Sequence, residues 1–564
     1  MKRNFRSSCQ ATRASPAGIL KLLRSREDRL SHPDSMHPPT PPPAHPTATA
    51  YDEVLYPGYT HPQTHPDRLA TVARFFGLKS PPVEHCRVLE LGCGNGANLV
   101  PMACGLPASE FVGIDLASAP VTVGREMIAG LGLKNVRLVH GDLAGINESW
   151  GTFSYIIAHG VYSWVPPAGR DRLLAVCRAC LASDGVAFVS YNAYPGGHLR
   201  QMMREMMRFH VRGLGSPDER ISQAHAFVRF ISEAKPGDDE YRRWLRAEAG
   251  QVLTHDRGHL FHDDLAEIND PVYFTTFTAH AAQHELQYLG EADFFEMSEQ
   301  ALTSEARRTL DQLGENRILR EQYLDFLKCR RFRQTLLCRA GVPLSARPDA
   351  AAIHELLVAA LLEPAAGAVD LKSGVHATFE TPRGARVETD YALGKAALVI
   401  LRDRWPAPIP LGTLAEQAHE HLLRDGSRPD DASDDAVAAL GGFLFKLFGA
   451  GAVVFHTTAP RHASAAGTRP RASPIARWQA ARGSVVTSAF HLAIHIEDES
   501  GRHLLQLLDG TRERAALAKE MYGFLDERGA LNAGAGGPAE LRRLVLEELD
   551  LNLEKLARFG LLVE

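Results

Sequence analysis

The segment Val88-Leu89-Glu90-Leu91-Gly92-Cys93-Gly94-Asn95-Gly96 sets glycine at three alternate positions directly behind a run of strand-forming residues, with a carboxylate, Glu90, two places before the first glycine. Glycines there permit a tight strand-to-helix turn and let a ligand lie against bare backbone. Two further acids stand at similar points. Asp115 closes Phe111-Val112-Gly113-Ile114-Asp115, and Asp142 follows in His140-Gly141-Asp142, with Leu143 beside it. A carboxylate at Asp115 can accept hydrogen bonds from both hydroxyls of a ribose, and one at Asp142 can accept from the exocyclic amine of an adenine. Either acid alone is equally well a strand-end cap or a helix N-cap. Acids at three successive strand ends, all on the carboxyl edge of one sheet, converge on a nucleoside.

Two nucleoside ligands compete for this constellation. Gly92, Gly94 and Ala97 satisfy the G-x-G-x-x-A form of a dinucleotide site, and Asp115 follows at a suitable distance. Glu90 argues for the other ligand. A pyrophosphate over this turn would be repelled by a carboxylate at the strand's end, whereas the ammonium group of a methionine moiety would be attracted to it.

The elements that must hold these residues alternate short apolar runs with helical stretches, which predicts a parallel sheet wound with crossover helices. Strands are expected at Arg87–Leu91, Phe111–Asp115, Val136–His140, Phe153–His159 and Gly185–Tyr191, with helices at Val121–Leu131 and Arg170–Leu181. A mostly helical insertion over Leu199–Leu253 is broken at Pro217 and Pro236, and sheet edges resume at Leu286–Gly290 and Arg333–Cys338, the second behind the amphipathic stretch Arg320–Arg330. Past Arg347 the chain turns to Ala- and Leu-rich helices. Gly394–Arg402, Leu411–Leu423 and Ala436–Leu447, then Ala452–His456, follow a winged-helix order, and Leu492–Ile496 could be another wing strand. Gly467–Pro474 reads as a linker. The expected domains are a disordered lead-in over 1–49, with Met36 an alternative start, an α/β unit over 50–340 that carries the glycine loop and has an insertion at about 199–285, a winged-helix-like module over 341–466 and a helix-rich module over 475–564.

Glu90-Leu91-Gly92-Cys93-Gly94-Asn95-Gly96, Asp115 and Asp142 resemble the class I S-adenosylmethionine-dependent methyltransferases, in which G-x-G-x-G is the typical loop. A narrower likeness rests on His159-Gly160-Val161-Tyr162-Ser163-Trp164-Val165-Pro166, Pro62-Gln63-Thr64-His65-Pro66-Asp67-Arg68 and His262-Asp263-Asp264-Leu265. These runs look like bacterial proteins with a methyltransferase regulatory domain, a group that includes protein lysine methyltransferases acting on outer-membrane proteins. The resemblance covers roughly Tyr51–Arg339 well and the C-terminal third more loosely. It implies a Rossmann-like α/β fold with S-adenosylmethionine as cofactor: Glu90, Gly92, Gly94 and Gly96 at the methionine part, Asp115 at the ribose, and Asp142 and Leu143 at the adenine. It also implies a protein substrate with a lysine acceptor. One departure is Gly197 in Tyr194-Pro195-Gly196-Gly197-His198, where a bulkier, often aromatic residue is expected.

Methyl transfer from a sulfonium is an in-line displacement, so the protein mainly aligns a lone pair with the methyl carbon and excludes water. Few catalytic groups are needed. The fourth strand delivers His159, Tyr162 and Trp164 beside the donor, where His159 also borders the cofactor; core packing is the ordinary alternative for Tyr162 and Trp164. Tyr56, Tyr59 and His65 are candidates for a lid. His255, His259 and His262, with Asp263 and Asp264, share a spacing that could hold zinc, but the zincin glutamate is missing and no metal is expected. Cys177 and Cys180 form a lone CxxC inside an expected helix, which reads as buried packing.

Composition restricts the partners. Apolar residues make up 45% and charged residues 23%, as in soluble globular proteins. The net charge is −5, and residues 341–564 hold 24 basic against 29 acidic residues, which disfavours a phosphate-binding face and hence nucleic acid. Eight scattered cysteines suit reduced thiols in a cytoplasm. No run is long enough to span a bilayer, and a homodimer is compatible with the sequence. Outside the lysine reading stand a small-molecule methyltransferase and a cofactor-binding regulator whose winged helix reads DNA.

Overall fold

A computed structural model of the chain describes residues 49–314, 316–382, 384–427, 436–531 and 537–563. The lead-in and Met36 lie outside them, Thr49 excepted.

The strands β1 (Arg87–Leu91), β2 (Glu110–Asp115), β3 (Val136–His140), β4 (Phe153–Ala158), β5 (Leu181–Asn192), β6 (Leu286–Glu291) and β7 (Phe332–Arg339) form one sheet in the order β3-β2-β1-β4-β5-β7-β6. Strands β1 to β5 pair in parallel, and β7 runs antiparallel to both β5 and β6. The central strands read as continuous apolar runs because both faces are covered. Alternate side chains enter opposite cores. Val88, Phe111, Tyr155, Ile157 and Phe188 join one cluster, and Leu89, Leu91, Ile156, Ala158 and Tyr191 the other. Chain order reverses between β1 and β4, and such a switch point opens a crevice at the carboxyl ends of the strands.

The expected boundaries need small corrections. β4 ends at Ala158, so His159 begins the turn beyond it. The following helix starts at Pro167, whose fixed φ suits a first turn, and ends at Cys180, so Leu181 already belongs to β5 rather than to the helix. Its early residues Ala182, Ser183 and Asp184 are polar or small, and for that reason the strand looks shorter in sequence. The two edge strands expected after the insertion are present as β6 and β7.

Residues Gln201–Leu265 are a separate compact unit. Helices Pro217–Glu233 and Glu240–Val252 follow the end of helix Gly197–Val211, with a π-helical turn at Leu260–Asp264. Pro217 opens its helix and Pro236 lies between two helices, as expected.

In the other unit the chain beyond β7 adds two small assemblies. Helices Ala392–Arg404, Leu411–Arg424 and Ala436–Gly449 accompany a three-stranded sheet of Ile409–Pro410, Leu357–Ala359 and Val454–His456. The last assembly packs helices Pro474–Ala480, Glu499–Leu507, Arg514–Glu527 and Pro538–Arg558 around a hairpin of Val485–Thr487 and Ala493–His495. The expected linker Gly467–Pro474 is partly structured, because Arg471–Ala472 pairs with Leu562–Val563. Helix Pro66–Phe75 is fastened to strand Val454–His456 by Asp67. The Asp67 carboxylate meets His456 Nδ1 at 2.7 Å and accepts from the Thr457 amide at 2.6 Å. Burial opposes its ionisation, yet the His456 imidazole holds that carboxyl down at about 2.

Candidate active site

The glycine loop leaves β1 at the switch point. The Gly92 and Cys93 amides donate to the Ile114 carbonyl at 2.8 and 3.1 Å, which folds the loop over the end of β2. Asp115 secures it from the other side, its carboxylate accepting from the Gly94 amide at 2.8 Å and from the Ala117 amide at 2.8 Å. Gly92 has φ +74°, and a Cβ there would stand 2.7 Å from Val161 Cγ2. Gly94 has φ +51°, and no atom lies within 4 Å of where its Cβ would be, so its backbone is open to a ligand. Gly96 is buried against Leu138.

Glu90 is 3% exposed, and its side chain lies on the face of the sheet shared with His159. Oε1 accepts from Asn98 Nδ2 at 2.7 Å, while Oε2 is buried with no partner. Burial pushes this carboxyl up to about 8 despite the Asn98 bond. Burial also raises Asp115. An orphaned buried carboxylate oxygen is costly, and a cationic donor group arriving beside it relieves that cost.

Asn98 is a hub that the sequence did not announce. Its Oδ1 accepts from the His61 amide at 2.9 Å and bonds His491 Nε2 at 2.8 Å, and its Nδ2 also donates to Thr64 Oγ1 at 3.0 Å. His491 comes from the last assembly and takes φ +58°, a conformation uncommon outside glycine. The His61 ring stacks on His159 at 3.7 Å, with Phe332 edge-on to His159 at 6.1 Å. Burial pushes His61 down to about 4 and His159 well below its ordinary value, so both imidazoles are neutral at physiological pH.

The residues nominated from sequence divide accordingly. Glu90, Gly92, Gly94, Gly96 and Asp115 gather at the ends of β1 and β2, and His159 stands at the end of neighbouring β4. Asp142 lies just past β3, exposed, where it accepts from the Ala144 amide at 2.7 Å and caps the turn Leu143–Gly145; Leu143 is half-buried. Tyr162 is a correction. The Gly160 turn, with φ +65°, carries it into the core on the opposite face of the sheet, 3% exposed, against Phe277 and Tyr191, with its hydroxyl 2.8 Å from His280 Nδ1. Trp164 is half-buried at the end of the same turn. Residues around Gly58 close over the loop, since a Cβ on Gly58 would stand 2.4 Å from Asn95 Oδ1, and this places the segment bearing Tyr56 and Tyr59 beside it. His65, also expected in a lid, instead caps helix Pro66–Phe75 and is pushed down to about 4 by burial.

The remaining motifs are structural. His255 pairs with Asp264 at 2.7 Å and His259 with Asp256 at 2.8 Å. Cys177 and Cys180 are buried and unpaired. A Cβ on Gly197 would lie 3.0 Å from Pro271, and this explains why no larger residue stands there.

A 3-2-1-4-5-7-6 sheet, an open glycine loop at its switch point and a buried carboxylate with one unpartnered oxygen beneath it define an S-adenosylmethionine-dependent methyltransferase. Family models agree: a methyltransferase domain matches residues 88–185, a predicted methyltransferase regulatory domain 256–339, and the C-terminal winged helix domain of PKMT 468–561. The chain belongs to the class I methyltransferases that carry a methyltransferase regulatory domain. It is 38% identical over 298 residues to uncharacterized protein RP789 of Rickettsia prowazekii, a match over 52% of this chain and 53% of that one. The chain thus spans about half the length of that relative. It is 36% identical over 241 residues to RP028 of the same organism, covering 43% of this chain and 96% of the relative. Among solved structures, PKMT2 from Rickettsia typhi superposes with TM-score 0.81 at 29% identity, over 90% of this chain and 100% of that one. The same protein in complex with AdoHcy gives 0.80 at 28%. The regulatory match takes in β6 and β7, so it is not confined to the helical insertion, and the winged-helix match lies downstream of the helices that suggested one in sequence. No helix among the described residues is long and apolar enough to cross a membrane.

Proposed function

We propose that this methyltransferase modifies lysine side chains of proteins. The carrying observation is the wall of uncharged rings, His61 on His159 with Phe332 edge-on, at the strand ends that bear Glu90. The bound cofactor supplies an electrophilic methyl group. Glu90 Oε2 would receive its ammonium, the backbone of Gly92, Gly94 and Gly96 would hold its methionine part, Asp115 would accept from the ribose hydroxyls, and Asp142 with Leu143 would border the adenine. A lysine amine must be uncharged to attack, and burial among neutral rings disfavours its charged form and so lowers the amine's proton affinity. Trp164 borders the acceptor side. Likeness to PKMT2 supports a protein substrate.

We assign residues 50–340 to the catalytic domain, with the insertion at about 199–285, and residues 341–466 and 475–564 to modules that engage the protein substrate in the cytoplasm. Incubating the full chain with tritiated donor and cell-extract proteins tests the proposal. Label recovered as methyl-lysine after protein hydrolysis is expected. Label only on small molecules, or on another amino acid, overturns it.

A further inference from the structure

On the face of the sheet away from Glu90, three side chains turn potential ligand atoms toward one point. Asp171 comes from helix Pro167–Cys180, while His280 and His284, four residues apart, come from helix Phe274–Gln283 and its C-cap. His284 Nε2 lies 2.8 Å and His280 Nε2 3.5 Å from the same Asp171 Oδ1, and one ligand atom from each residue falls within 4.8 Å of the others. In a tetrahedral site with metal–ligand bonds of about 2.0 Å, ligand atoms sit about 3.3 Å apart, so the two spacings to Asp171 are within about 0.5 Å of that and the imidazole-to-imidazole spacing would close by at most about 1.5 Å.

Two surroundings favour a cation. Tyr162 hydroxyl lies 2.8 Å from His280 Nδ1, the ring nitrogen turned away from Asp171, and so fixes the ring as an outer partner of a metal-binding histidine does. The C-terminal end of helix Phe274–Gln283, with its negative partial charge, lies at the site. Of the cations on Asp171's helix, Arg170 is engaged by Asp270, Arg172 by the Leu143 carbonyl and Arg178 by Glu285.

We propose that Asp171 Oδ1, His280 Nε2 and His284 Nε2 bind a divalent cation of borderline softness, with zinc the best match to two imidazoles and a carboxylate and water in the fourth position. Both imidazoles bind neutral: the proton leaves Nε2 for Nδ1, and on His280 it then donates to the Tyr162 oxygen. Asp171 lies in the stretch matched by the methyltransferase domain and the histidines in that matched by the regulatory domain. The ion would therefore clip one to the other, at a tyrosine in the turn that follows His159.

Titration of the chelator-treated full chain with Co2+, followed by its visible spectrum, tests this. One equivalent is expected, without the intense near-ultraviolet band of thiolate ligation that cysteine sites would give. Asp171→Asn and His284→Ala should each lose that binding while keeping the metal-free thermal midpoint. Added Zn2+ should displace Co2+ and raise the midpoint of the parent chain alone. Absence of binding to the parent, a thiolate band, or parent-like affinity in either variant overturns the proposal.

Discussion

Glu90 has one carboxylate oxygen on Asn98 and the other sealed from water with nothing to bond. Its carboxyl, raised to about 8 by burial, is mostly protonated at pH 6 to 7, whereas the form that meets a cofactor ammonium is ionised. Affinity for S-adenosylhomocysteine should therefore rise about tenfold between pH 6 and pH 7, and Glu90→Gln should bind weakly with no such slope, as read by calorimetry at each pH. Stability follows the opposite course. A carboxyl whose folded value lies above its unfolded value contributes stability in full below about pH 4.5, and that contribution is lost as pH rises to 8. Glu90→Gln should thus gain stability over the parent between pH 5 and pH 8, with an upper bound of about 5 kcal/mol, measurable by urea unfolding. At the loop itself, Gly94→Val blocks the open backbone and strains a positive φ, and Asp115→Ala frees the loop from β2. Each should weaken cofactor binding on the order of a hundredfold, about 2.7 kcal/mol, without unfolding the chain; undiminished affinity in both would refute the site.

Among elements, β6 and β7 are joined through the buried cation Arg333, with Arg330 beside it. Arg333 is 1% exposed and donates to Glu291 at 2.6 Å, to Asp325 at 2.8 and 3.0 Å and to Glu321 at 3.0 Å, with its guanidinium 3.8 Å from the centre of the Phe274 ring. Replacing it with Met leaves Glu291 without a cation and Glu321 and Asp325 with Arg330 alone, and a loss of about 3 to 5 kcal/mol is expected in urea unfolding. Sequence showed the strand and the amphipathic helix before it, because apolar periodicity is a local property. It did not show that Glu321 and Asp325, one turn apart on that helix, would converge on Arg333, because only packing brings them there. The same distinction runs through the site. Glu90, the glycines and Asp115 follow directly from strand endings and were legible. Tyr162 was misplaced because a single left-handed residue, Gly160, reverses which face the chain serves, and no strand period extends through such a turn.

At the scale of the whole molecule, sequence separation hid the most. Asn98 and His491 stand 393 residues apart, and no motif around Leu492–Ile496 suggested more than a wing strand. His491→Ala should lower affinity for S-adenosylhomocysteine about tenfold while leaving the fold intact, since Asn98 Oδ1 keeps only the His61 amide and the residue that braces Glu90 is held less firmly. Calorimetry beside circular dichroism distinguishes this from general damage, and unchanged affinity would deny His491 its role. The bond also has a consequence for biosynthesis. A growing polypeptide that has already wound its sheet and formed its glycine turn still lacks the His491 partner of Asn98 until residue 491 has left the ribosome. Full donor affinity, and the ligand-induced protection of the newborn protein from proteolysis that goes with it, would then be deferred to the closing stage of translation, and products of premature termination would hold the donor more weakly.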